Sequence, residues 1–242
     1  MTLTREEHAA RNNAQWCNTV CAAHGSPGEF HPAAWINRDV IPRFHSHAVV
    51  TARRSADAVL RLVDELLSAH PPRFGGLKDS FCEIDLSSRG FSALFEANWI
   101  WRDPSAPLPS VDASDDVAWH TIETDSALAE WERAWASGDP PGDRHPRQFP
   151  PSLLSCSDHR FIGGYCAGKV VAGAIANRTG EVVGISNVFQ TINPATCWRG
   201  AMRFIENEFP GLPIVGYERG NDLLIAQAAG FEVQGMLRVW SR

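Results

Sequence analysis

The spacing of apolar residues changes several times along the chain, and each change marks a predicted element. Thr4 followed by Glu7 is a capping box; it starts a helix carrying Trp16, Cys17, Val20 and Cys21 on one side. Gly25 to Gly28 breaks that helix. Trp35 to Phe44 shows no steady period, contains Pro42, and is expected to be irregular. "HAVVTAR" (47–53) alternates as a strand. Ser55 is placed to cap a helix with Val59, Leu62, Val63, Leu66 and Leu67 at helical spacing. Pro71-Pro72 and Gly75-Gly76 end it. "LKDSFCEID" (77–85) and "FSALFEANWIW" (91–101) read as two strands joined by a short turn.

Asp103 to Asp116 is poor in apolar residues and rich in Pro and Ser, the composition of a linker. Beyond it, "AWHTIE" (118–123) is a short strand, and Asp125 is expected to cap a helix carrying Leu128, Trp131 and Trp135. Gly138 to Pro151 reads as a Pro-rich loop. Three strands follow, "RFIGGYCAG", "KVVAGAIANRT" and "EVVGISNVFQ", with Ala-Gly-Lys and Arg-Thr-Gly-Glu suited to tight hairpin turns. Trp198, Ala201, Met202, Ile205 and Phe209 lie on one face of the next helix, which Pro210-Gly211 stops. "LPIVGYE" reads as a strand buried on both faces. The chain closes on "NDLLIAQAAGFEVQGMLRVW" (221–240), an apolar helix that stops on Gly-Phe and passes directly into a strand.

The same order occurs twice. "AVVTAR", a helix, "KDSFCEID", "LSSR", Gly90-Phe91 and "SALFEANWIW" match "VVGISNVF", a helix, "IVGYERGND", "LLIAQAA", Gly230-Phe231 and "EVQGMLRVW". We read this as an internal repeat whose first copy lacks its opening strands and most of its last helix. The expected organisation is a half-domain over 1–105, a linker over 106–117 and a complete domain over 118–242. Phe91, Leu94, Phe95, Trp99, Ile100 and Trp101 make the first copy's closing strand too apolar to stay bare. It must be covered by the second half or by another subunit, as in a homodimer.

Composition narrows the function classes. The chain has 242 residues and a formal charge of −6, with both signs mixed along it. It offers no basic cluster for nucleic acid and no apolar run that spans a membrane. The charged start, "MTLTREEHAARNNAQW", has no hydrophobic signal core, so a cytoplasmic protein is expected. Six cysteines show no paired framework and read mostly as buried small apolar residues in a reducing compartment. Cys17, Cys21, His24 and His31 lack the tight spacing of a zinc site. His45 and His47 share a strand face but read as a simple surface pair. No metal is expected.

Residues 118–240 resemble the GNAT superfamily of acyl-CoA N-acyltransferases. "TDSALAEWERAW" looks like its opening helix, "FIGGYCAGKVVAGAIANRTGEVVGISNVF" like its three-strand meander, and "IVGYERGNDLLIAQAAGFEVQGMLRVW" like its closing unit. The resemblance implies an α/β fold: a mixed, mostly antiparallel sheet with helices on both faces, plus an N-terminal partial repeat. It implies acetyl-CoA or another acyl-CoA as the acyl donor and a small-molecule or peptide amine as acceptor. Asn187, Val188, Phe189 and Gln190 would lie along the pantetheine arm. Gly200 stands in for the family's Gly-rich phosphate turn, and Asn221 for the Asn that opens its last helix. The sequence departs from the family in that turn, "QTINPATCWRGAMRF" (190–204), where Pro194 removes an N–H donor and Trp198 is bulky. The family's usual Tyr acid is replaced by Ala226. Glu218 is the candidate base and Tyr217 the candidate acid at the end of the following strand. The alternative is a GNAT-like binding or scaffold protein without turnover.

Overall fold

The computed structural model describes residues 2–68, 74–108, 110, 117–136 and 147–242. Pro71-Pro72, most of the expected linker and residues 138–146 of the expected Pro-rich loop lie outside the described residues. The capping box forms as the sequence predicts. Glu7 N donates to Thr4 Oγ1 and Thr4 N to Glu7 Oε2, starting α1 (Arg5–Ala23) with Trp16, Cys17, Val20 and Cys21 buried. The segment expected to be irregular begins as a strand. After β1 (Glu29–Phe30), β2 (Ala34–Ile36) carries Trp35, which is fully buried and donates its indole N–H to Asn18. Three residues are too few to display a period, so burial of Trp35 and pairing with β3 (Ala48–Val50) set this strand.

α2 (Ala56–Ser68) buries Val59, Val63 and Leu66. Ser55 stands at the N-cap position, its carbonyl accepting the Val59 N–H at 3.0 Å, while its hydroxyl donates back to the Ala52 carbonyl. β4 (Gly76–Asp79), a single 3-10 turn at Ser87–Arg89 and β5 (Ser92–Arg102) follow. Then come β6 (Ala118–Thr121) and α3 (Asp125–Trp135). The cap of α3 is Thr124, whose hydroxyl accepts the Ala127 N–H; Asp125 is the first helical residue. β7 (His159–Cys166), β8 (Lys169–Thr179) and β9 (Val182–Gln190) form the meander. Its hairpins turn at Ala167-Gly168 and at Gly180, all at positive φ, the backbone that two-residue turns require. α4 (Pro194–Glu208), β10 (Ile214–Glu218), α5 (Gly220–Ala228) and β11 (Glu232–Ser241) complete the chain.

The chain divides into two compact units, Met1–Trp99 with Gln234–Arg242, and Ile100–Val233. In the first, the strand order is β1-β2-β3-β4-β11-β5, with β3 and β4 parallel and the β1–β2, β2–β3 and β4–β11 pairs antiparallel. In the second, the last residues of β5 neighbour β10, and the order continues β9-β8-β7-β6. Here β9 and β10 are parallel, and β6 through β9 form an antiparallel meander. Its helices lie on both faces, because successive residues of a strand point opposite ways. Phe161 meets Trp131 of α3 edge-on, while Ile162 joins Trp198, Met202 and Ile205 of α4 in one apolar cluster.

Both Gly-Phe sites are helix stops of one design. Gly230 has φ +89° and Gly90 φ +79°. Gly230 N donates to Gln227 O and Phe231 N to Ala226 O; Gly90 N donates to Ser87 O and Phe91 N to Leu86 O. Each set is the pair of bonds that closes a Schellman motif. Phe231 and Phe91 then drop into the core, 4% and 5% exposed. Twelve residues beyond each glycine stands an arginine. Arg102 Nε lies 3.6 Å from where a Cβ on Gly230 would sit, and Arg242 Nε 3.9 Å from the same point on Gly90. So the arginine that closes each repeat packs on the glycine stop of the other. Within Ile100–Val233, Arg102 is fully buried and satisfied: Nε donates to Ala229 O, and the two terminal nitrogens to Glu206 and Ala106 O.

Candidate functional site

The site begins where β9 bends. The β8–β9 ladder pairs Gly173 with Phe189 and Ile175 with Ser186, so β9 takes three steps where β8 takes two. The extra residue is a β-bulge, and Asn187 within it has φ +52°, a region Asn tolerates better than most residues. The bulge shifts the alternation of β9. Val183 and Ile185 face the α4 cluster before it, and Val188 packs against the same cluster after it. Phe189 turns to the other face. There its ring lies edge-on to Trp131 at 5.1 Å, in a niche that exists because residue 173 is glycine. A Cβ at Gly173 would sit 2.4 Å from both the Phe189 ring and Trp131 Nε1. Trp131 is fixed in turn by its indole bond to Ile162 O, 2.8 Å.

On its other side β9 parts from β10. The two pair only at Val183–Ile214 and Gly184–Val215, yet β9 runs on to Gln190 and β10 to Glu218. Their carboxyl ends therefore border a gap without a ladder, the usual place for a ligand between parallel strands. Ser186 Oγ is buried here with no hydrogen-bond partner among the described residues. Tyr217 and Glu218 end β10, both half-buried. Burial pushes the Glu218 carboxyl up to about 7, and the charge of Asp222 in the first turn of α5 adds to the shift. Arg178 is paired with Asp158 at 2.6 Å.

The start of α4 is closed by its own residues. Asn193 is the N-cap, and its Oδ1 accepts the Ala195 N–H at 2.8 Å. Pro194 at the first helical position has no N–H to give. The expectation that Trp198 obstructs this turn is overturned. It is 2% exposed and packs on Phe231 with ring centroids 5.4 Å apart, because it falls on the core face of the helix. Gly200 is the seventh residue of α4, away from the helix start. It is a packing glycine: a Cβ there would lie 2.1 Å from the Trp119 indole. Ala226 is fully buried in the α4–α5 core.

The fold thus brings Asn187, Val188, Gln190, Tyr217 and Glu218 to one end of the parallel pair. The Phe189 side chain belongs to the aromatic packing beneath it, and Asn221 is exposed in the first turn of α5. Asn193, Gly173 and Asp222 were missed from sequence. Asn-Pro is a cap-and-first-turn signature and glycine inside a strand marks close approach, so two of these had a readable signal. Among the described residues no group of three or more His, Cys, Asp and Glu is arranged to hold a metal. His45 and His47 are partly buried: His47 Nδ1 accepts the Gly75 N–H, and desolvation pushes His45 down to about 4.

No family model matches the sequence, and no curated protein does. Solved structures do. A GCN5-related N-acetyltransferase from Kribbella flavida is similar with TM-score 0.61 and 14% identity, over 96% of this chain and 95% of that one. A functionally unknown conserved protein from Staphylococcus epidermidis gives 0.62 and 12%, over 88% and 91%. A tandem GNAT protein from the clavulanic acid biosynthesis pathway gives 0.55 and 12%, over 98% and 95%. The chain therefore has the GNAT fold along nearly its whole length, including the N-terminal partial repeat.

Proposed function

We propose that this chain is an N-acyltransferase moving an acyl group from acetyl-CoA or another acyl-CoA to an amine. The observation that carries the reading is the unladdered gap between β9 and β10, bordered by Glu218. The fit to the donor is uneven. The main chain of Ser186–Gln190 has no ladder partner toward β10 and suits the amides of a pantetheine arm. The start of α4 suits a pyrophosphate poorly, since Asn193 and Pro194 leave it short of N–H donors. In this reading the site lies within residues 118–242. The amine nitrogen attacks the thioester carbonyl, the C–N bond forms and the C–S bond breaks. Glu218 takes the proton from the amine, directly or through water, and the Tyr217 hydroxyl protonates the departing thiolate. A base titrating near 7 is matched to that task at neutral pH. All six cysteines are free thiols, with Cys17, Cys21 and Cys197 buried but Cys156 and Cys166 exposed and Cys82 between, against the expectation of burial; free thiols are in keeping with a cytoplasmic site of action.

The first test is calorimetry of the full chain with coenzyme A, then acyl transfer to a panel of small and peptide amines. Glu218→Gln is expected to lower kcat by about 10²–10⁴-fold while the donor KM stays within a few-fold. Undiminished turnover in both Glu218→Gln and Tyr217→Phe removes these residues from the mechanism. The second reading is a GNAT-like binding or scaffold protein. The self-capped start of α4 and the buried Ala226 favour it, and absence of binding at millimolar coenzyme A selects it.

A further inference from the structure

The first unit contains a parallel pair equivalent to β9–β10, and there the strand ends are tied shut. β3 and β4 pair at Ala48–Leu77 and Val49–Lys78, as β9 and β10 pair at Val183–Ile214 and Gly184–Val215. Each first strand leads to a helix, and each second strand leads to a Gly-Phe stop. In the second unit β9 continues six residues past its last pair. In the first, β3 ends one residue past, at Val50. We infer that Glu83 is a built-in ligand of the first unit: its carboxylate occupies an anion cradle that Arg53 and Arg54 form at the β3–α2 junction.

The closure starts at Asp79, the last residue of β4. Its fully buried carboxylate accepts the N–H groups of Phe81, at 3.3 Å, and Ile84, at 2.8 Å. Those bonds fold the following loop back over the strand ends. The loop delivers Glu83 to the junction, where Oε2 accepts the Arg54 N–H at 2.6 Å. Arg54 itself has φ +53°. Glu83 Oε1 receives the Arg53 guanidinium at 3.4 Å, and Glu6 of α1 holds the same guanidinium from another side. Arg53 lies over the Phe81 ring, 4.9 Å from its centroid, and Phe81 is 7% exposed. A main-chain N–H beside a guanidinium gives a carboxylate two charge-assisted donors, the makings of an anion cradle. Here the chain's own carboxylate sits in it, with a stacked ring beneath. The inference rests on the fold and the internal repeat, and is independent of acyl transfer.

Thermal melting of the full chain tests it, with sodium formate as the probe and sodium chloride at matched ionic strength as control. Glu83→Ala is expected to lower Tm by about 2–6 °C, as loss of one or two charge-assisted bonds does in a chain of this size. Formate is expected to restore it saturably, beyond the chloride control, as a carboxylate re-enters the cradle. The native chain should answer formate and chloride alike, and Arg53→Ala added to Glu83→Ala should abolish the recovery. If Glu83→Ala does not fold, Glu83→Gln, which keeps the volume but not the charge, is expected to fold with a lowered Tm. An unchanged Tm in Glu83→Ala or Glu83→Gln overturns the inference, as does a lowered Tm that formate restores no better than chloride.

Discussion

At the scale of the residue, Glu218 decides most. Its ordinary pKa of 4.5 is raised to about 7 by burial and by Asp222. In the window between these values the folded state holds a proton that the unfolded chain has lost. Stability from this group is therefore fully present below pH 4.5 and is lost as pH rises through about 7. The cost of ionising it in the folded chain is about 1–3 kcal/mol, discounted for its partial exposure. Glu218→Gln cannot ionise and escapes that cost. The variant is expected to match the native chain near pH 4.5 in urea denaturation and to exceed it by about that margin at pH 8. Equal stability at pH 8 would show that the carboxylate is well solvated. The strand-end position of Glu218 was legible in sequence, but its raised pKa was not. Burial and the distance to Asp222 depend on how α5 folds back after β10.

At the scale of the element, the bulged β9 is held from both faces. Val188 is packed against the α4 cluster and Phe189 is seated between Gly173 and Trp131. Slipping the register by one residue would exchange those faces. Gly173→Ala pushes a methyl into the Phe189 ring and the Trp131 indole. It is expected to destabilise the chain by about 1–3 kcal/mol, the usual cost of overpacking. Adding Phe189→Leu should recover part of this by vacating the niche, which a double-mutant cycle in urea measures. A purely additive pair would mean that the two positions do not share the niche. The strand itself was readable from its apolar pattern. The bulge was not, because one extra residue leaves a strand apolar and shows only against its partner β8.

At the scale of the whole molecule, the two units share the chain unevenly. Gln234–Arg242 belongs with Met1–Trp99, and Ile100–Arg102 belongs with the second unit. A fragment of residues 112–242 therefore loses the buried Arg102, which holds the Ala229 and Ala106 carbonyls and Glu206. It also retains a β11 deprived of β4, with which Arg238 to Ser241 pair. We expect the fragment to aggregate or to lack a cooperative unfolding transition, with the full chain as control. A soluble, monomeric, cooperatively folding fragment would show that the exchange is dispensable. Among the described residues no helix is long and apolar enough to cross a membrane.

The sequence alone determined what is local. The α1 capping box, the apolar faces of α2 and α4, the hairpin turns and both Gly-Phe stops depend on residues a few positions apart, whose contacts the spacing displays. The order of those parts was enough to recognise the repeat and the GNAT fold. Tertiary structure decided what depends on partners distant in the chain. It made a strand of Ala34–Ile36 and put Trp198 in the core instead of the helix start. It set a bulge at Asn187, and it brought Glu83 onto Arg54. Strand exchange was likewise invisible, because β5 and β11 have the same apolar character and either would suit the place beside β4 or β10. Only the pairing actually formed, with Arg102 on Gly230 and Arg242 on Gly90, distinguishes them.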